Sequence, residues 1–171
     1  MRPMFRKLLL TVCITAAAFL ANAQNTKTPI DFNDDLVEIT DSLYKIGQNW
    51  GKAFNEAYKT TGNYATLKTA RERMLVFVEA KLKYVANLKD VNNSKPLRQA
   101  YIDFLNYEKR MITEAFVPFE VLTSASSKEE VQKRMEKLRE LSSQEGAMLT
   151  KVNEAQYRYA SENGFTIEGK E

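Results

Sequence analysis

The stretch DFNDDLVEITDSLYKIGQNWGKAFNEA, Asp31–Ala57, decides the fold. Within it Phe32, Leu36, Ile39, Leu43, Ile46, Trp50, Ala53 and Ala57 recur at alternating intervals of four and three. That spacing places them along one face of an α-helix and excludes a strand, whose faces alternate every second residue. Pro29 and the acidic run Asp31, Asn33, Asp34, Asp35 suit a helix start, because side-chain acceptors and negative charge both favour a helix N-terminus. Thr60-Thr61-Gly62-Asn63 closes the segment, with Gly62 as a C-cap.

The same period continues outward from this helix. Leu67, Ala70, Met74, Phe77, Val78, Leu82, Val85 and Leu88 give a second helix its apolar face. A polar connection, Lys89 to Ser94, follows, with Ser94 or Asn93 expected to cap a third helix and Pro96 in its first turn. Leu97, Tyr101, Phe104, Glu108, Met111 and Ala115 share one face of that helix. Pro118 predicts a kink or early end, since it lacks the amide that would bond the Glu114 carbonyl. Ser127 and Glu130 form an S-x-x-E capping box, and a last helix runs to Asn163 before Gly164. Val131, Met135, Leu138, Leu149, Val152 and Tyr159 mark its buried face, and Glu129–Lys133 and Glu130–Arg134 suit its solvated face.

These segments, about 33–60, 64–88, 95–123 and 128–163, with short connections, predict an all-α, up-down-up-down four-helix bundle. A single domain over residues 24–171 accommodates them.

Residues 1–23 carry a different pattern. Arg2, Arg6 and Lys7 precede a charge-free apolar run, Leu8 to Leu20, and Ala21-Asn22-Ala23 sets small residues at −3 and −1 before Gln24. This is the order of a cleavable secretory signal. The apolar run falls short of the roughly 20 residues that span a bilayer, so no stable transmembrane anchor is expected after cleavage. An uncleaved anchor is the weaker alternative. Cys13 lies inside the run and follows Val12, which does not suit lipidation.

Export changes the charge balance. The chain has 25 Lys+Arg against 22 Asp+Glu, and the signal takes three basic residues and no acidic one. The mature formal charge is therefore zero, which gives no basic stripe for nucleic acid. The single cysteine leaves with the signal and the chain has no histidine. Disulfides, thiol chemistry, a Glu-x-x-His di-iron site and covalent c-type haem are excluded for the mature chain. Asp31-Phe32-Asn33-Asp34-Asp35 lacks the central glycine of a calcium loop. No cofactor and no metal are expected.

Polar residues on apolar faces are the remaining chemical candidates. Glu108 falls on the third helix's seam, and heptad steps along the fourth place Ser142, Glu145 and Gln156 on or beside its seam. A buried glutamate gains a raised pKa, and two facing carboxyls can in principle hydrolyse glycosides. Glu108 and Glu145 are thus the catalytic candidates. A second phase through Leu141, Met148 and Ala155 turns Glu145 outward. Tyr101, Phe104 and Tyr107, with Tyr157, Tyr159 and Trp50, read first as packing residues, although aromatic faces also stack sugars and bases. Asn92-Asn93-Ser94 matches a glycosylation sequon, a tripeptide common by chance.

The signal ending Ala21-Asn22-Ala23-Gln24, the opening Phe32-Asn33-Asp34-Asp35-Leu36-Val37, the central Phe104-Leu105-Asn106-Tyr107-Glu108-Lys109 and the closing Gln156–Phe165 together resemble a family of uncharacterised bacterial secreted or surface proteins of helical-bundle type. The resemblance implies an exported bundle and carries over no catalytic residue. The expected function is a non-enzymatic envelope or surface binding module, taking a protein partner or a small apolar ligand. The alternatives are a carboxylate hydrolase on Glu108 and Glu145 and a periplasmic chaperone-like protein.

Overall fold

Thr28 starts the first helix. In the computed structural model, which describes residues 27–167, its hydroxyl accepts from the Asp31 amide, and the Asp31 carboxylate accepts from the Thr28 amide. This capping box satisfies amides that the helix itself leaves unpaired. Pro29 at the first helical position costs no hydrogen bond. Helix α1 therefore spans Pro29–Glu56, four residues earlier than its acidic run suggested. The expected signal, residues 1–23, lies outside the described residues.

Phe32, Leu36, Ile39, Leu43, Trp50 and Ala57 of the α1 seam are all buried, and Ile46 and Ala53 pack against them. The helix ends in a π turn, Ala57–Thr61, and then Gly62 at φ 63°. A β-carbon at Gly62 would stand 3.0 Å from Ser124 Cβ and 3.1 Å from Ser124 Cα. The left-handed angle and this close approach both call for glycine.

A short 3₁₀ turn, Tyr64–Thr66, leads into α2, Leu67–Ala86. The link to α3 turns through Asn92 and Asn93, both at positive φ, a conformation asparagine tolerates better than most residues. Ser94 is fully buried and holds the cap position, but its hydroxyl does not cap the helix. It donates to Asp90 Oδ1 and accepts from the Val91 amide, closing the turn behind it.

Helix α3, Lys95–Met111, ends well short of residue 123. Pro118 lacks an amide hydrogen and crowds the carbonyl four residues back. The chain responds one turn early. Ile112–Phe116 widens into a π turn closed by the Val117 amide on the Ile112 carbonyl, and Val117–Phe119 follows as a 3₁₀ turn. Helix α4, Lys128–Asn163, has the Ser127–Glu130 capping box at its start and Gly164 at φ 72° at its end. Glu130 is thereby engaged with Ser127, and neither Glu130–Arg134 nor Glu129–Lys133 is paired among the described residues.

Contacts between successive helices run in opposite chain order. Lys109 meets Glu79 and Arg71 meets Glu120 between α2 and the α3 segment, while Tyr107 bonds the Leu141 carbonyl and Tyr159 the Val91 carbonyl between the α3 segment and α4. This is the up-down-up-down bundle, with no strand among the described residues. Its two ends differ. At one, Phe32 and Asn33 of α1 meet Tyr159 and Gln156 of α4. At the other, Trp50 stacks on Phe116 with ring centroids 3.9 Å apart, and Phe54, Tyr64 and Phe119 complete an aromatic cluster.

Candidate functional site

Between these two ends, α1 and α4 stand apart; theirs is the sparsest contact of any neighbouring helix pair. The gap is a cavity of about 260 Å³ that reaches all four helices. Leu43, Met74, Phe104, Met111, Phe116 and Leu149 supply its apolar walls. Thr40, Tyr44, Gly47 and Gln48 form its α1 side, and Glu108 and Glu145 face it from α3 and α4.

Helical register explains both carboxyls. Glu108 sits one turn from Phe104 and Met111, each buried, so α3 carries it inward with them. It is only 6% exposed. Glu145 lies one turn beyond Leu141, which is fully buried, and one before Leu149, which is half-buried. Helix α4 thus buries residues of both phases, and Glu145 is half-buried at the seam's edge. The structure therefore brings Glu108 and Glu145 into one cavity. Ser142 is exposed and takes no part, because it sits on the outer side of the turn that buries Leu141. Gln156 is buried elsewhere, its amide donating to Asn33 Oδ1 at 3.3 Å, where it ties α4 to α1.

The electrostatics follow from burial. Glu108 has its pKa pushed up to about 8, chiefly by loss of water and secondarily by the neighbouring Glu145 charge. Burial raises Glu145 as well. Neither carboxyl has an ion-pair partner among the described residues, and Glu108 Oε1 is buried without a hydrogen-bond partner in the protein. A polar atom left in that state carries a desolvation cost of about 1–3 kcal/mol. The Tyr101 hydroxyl, deeper in the core, is also buried without a well-formed hydrogen bond, and burial raises its pKa while Thr40 opposes the rise. Thr40 is committed to the Val37 carbonyl at 2.7 Å.

No family model matches the chain, no curated protein matches it and no solved structure matches it. One carboxyl that keeps its proton near neutral pH, set beside a second at the cavity edge, can donate and accept protons or hold a positive group. The described residues contain no cluster of three or more His, Cys, Asp or Glu side chains able to hold a metal ion. Asp31, the first residue of the acidic run, is instead used in the α1 cap, and Asp35 pairs with Lys27 and accepts from the Tyr84 hydroxyl.

The α1 wall was not legible from periodicity. Tyr44, Gly47 and Gln48 lie off the α1 seam and read as outer-face residues. The available signal was Gly47, a glycine inside a helix, where it is about 1 kcal/mol less favourable than alanine. A β-carbon there would come no closer than 4.0 Å to Met74 Cε. No backbone contact demands glycine at this position, and its missing side chain leaves space in the cavity. Of the aromatic residues that read as packing, Trp50, Tyr101, Phe104, Tyr107 and Tyr159 are buried, and Tyr157 is half-buried.

Proposed function

We propose that this protein is an exported, non-enzymatic binding module that takes a small, largely apolar ligand into the cavity between α1 and α4. The observation that carries the reading is the cavity itself. It is concave, with apolar walls of Leu43, Met74, Phe104, Met111, Phe116 and Leu149 and polar groups from Thr40, Tyr44, Gln48, Glu108 and Glu145, the general character of small-molecule sites. Gly47 adds support, as a helix-weakening residue whose effect is to enlarge that space. Export is supported by the charged, apolar and small-residue order of residues 1–23.

Trp50 is the only tryptophan and stacks on Phe116, which lines the cavity. Its fluorescence reports occupancy without a label. Titration with tert-butylbenzene is expected to change Trp50 emission saturably. Gly47→Leu, which fills the cavity, is expected to abolish the response while keeping the helical circular dichroism. A wild-type protein that shows no saturable response and no rise in Tm would overturn the reading.

A second reading is favoured by one observation, the shared cavity of Glu108 and Glu145. A carboxyl that holds its proton up to about pH 8 suits a general acid, with Glu145 as base or nucleophile. The substrate class would be glycosides or esters small enough for the cavity. Hydrolysis of such substrates that disappears in both Glu108→Gln and Glu145→Gln would establish it; equal turnover by either variant would eliminate it.

A further inference from the structure

We propose that the ligand is a small organic cation, an ammonium carried on an apolar body, with its charge held between Glu108 and Glu145. This rests on the cavity being a ligand site and adds the ligand's charge. The cavity lining includes two carboxyls and no lysine or arginine. Neither carboxyl is paired with a cation elsewhere among the described residues, although the same helices pair Glu79 with Lys109, Glu114 with Arg110 and Glu140 with Lys137.

Burial makes this lack consequential. Glu108 is 6% exposed and its Oε1 has no hydrogen-bond partner in the protein. A buried carboxylate is costly unless it is matched in charge, so the free protein keeps Glu108 protonated, and a bound cation takes over the charge as that proton leaves to water. The surrounding walls favour an organic cation over a bare metal ion. Phe104 and Phe116 present aromatic surface to the same space, and aromatic faces attract ammonium groups. Two carboxyls among apolar walls also leave most of the six to eight oxygen ligands of a calcium ion unsupplied.

Two isosteric probes separate charge from shape. Phenyltrimethylammonium carries a fixed positive charge that does not titrate, and tert-butylbenzene is its neutral counterpart. Each is titrated into the purified protein and followed through Trp50 emission and calorimetry. The cation is expected to bind about tenfold or more tightly than the neutral probe, a difference within the range of buried cation–π and ion-pair effects. In the double variant carrying Glu108→Gln and Glu145→Gln the preference is expected to fall to within about twofold. Neutral-probe binding should persist there, which also shows that the variant is folded. Equal binding of both probes by wild type would overturn the cation proposal and leave the apolar site standing. A preference that survives the double variant would overturn it too, since the charge would then be held elsewhere. Binding of neither probe would overturn both readings together.

Discussion

Glu108 is the residue on which most of the chemistry turns, and its burial makes a stability prediction independent of any ligand. The unfolded chain releases this proton near the ordinary 4.5, whereas the folded protein holds it to about 8. Below 4.5 both states are protonated and no ionisation penalty exists. Between about 4.5 and 8 the folded state binds the extra proton, so stability falls as pH rises, with a limiting slope of about 1.4 kcal/mol per pH unit. Glu145, also raised by burial, acts in the same direction. Denaturation at several pH values is expected to show this decline in wild type and a flatter profile in Glu108→Gln. A profile of equal slope in the variant would place the titration elsewhere. Gly47 gives a second test at this scale. Gly47→Ala places a methyl group 4.0 Å from Met74 Cε, an ordinary contact. It is expected to raise stability by about 0.5–1 kcal/mol through the backbone entropy that glycine loses, and to weaken tert-butylbenzene binding. Urea unfolding and probe titration check the two halves separately.

At the scale of elements, the sequence made some features readable and hid others for definite reasons. The seams of α1 and α2 were readable because heptad-spaced apolar residues have one arrangement that buries them. The Ser127–Glu130 cap was readable because it is local. The end of α3 was only half readable: Pro118 announced an interruption, but the π turn at Ile112–Phe116 depends on how the chain accommodates a missing amide while Phe116 stacks on Trp50. The Glu130–Arg134 pair failed because Glu130 is used by the cap, a competition that i, i+4 spacing does not reveal. Arg71 and Glu120 are the counterpart, since a pair 49 residues apart leaves no periodic trace. Arg71 donates from Nε and its terminal nitrogen to both oxygens of Glu120, at 2.7 and 2.9 Å, with each side chain nearly buried. This fork joins α2 to the segment that follows the α3 interruption. Removing one partner leaves the other's charge poorly solvated, so Arg71→Ala is expected to cost about 2–4 kcal/mol. Chemical denaturation measures it; a loss below about 0.5 kcal/mol would class the pair with exposed surface bridges.

For the whole molecule, the four-helix frame was legible while the cavity was not, because a cavity is a property of where two helices fail to meet. Periodicity fixes which residues turn inward; it says little about the distance between α1 and α4 beyond the end where Gln156 meets Asn33. The candidate carboxyls were found because they interrupt apolar seams, but Gly47 and Tyr44 interrupt none. The proposed leader, residues 1–23, adds a prediction at this scale that is separate from the bundle. Arg2, Arg6 and Lys7 supply the whole excess of basic over acidic residues in the 171-residue chain. Cleavage after Ala23, as proposed, would remove the net positive charge as well as the apolar run from Leu8 to Leu20. The mature product is expected to begin at Gln24 and to focus at a distinctly lower isoelectric point than the precursor. N-terminal sequencing, or intact mass where Gln24 has cyclised, checks the first, and isoelectric focusing of fractionated cells the second. Replacing Ala21 and Ala23 with bulky residues should block cleavage and retain the basic precursor in the membrane fraction. A product that begins at Met1 and stays in the cytosol would leave the cavity argument intact, because none of Glu108, Glu145 or Gly47 depends on the leader, but it would remove export from the proposed role.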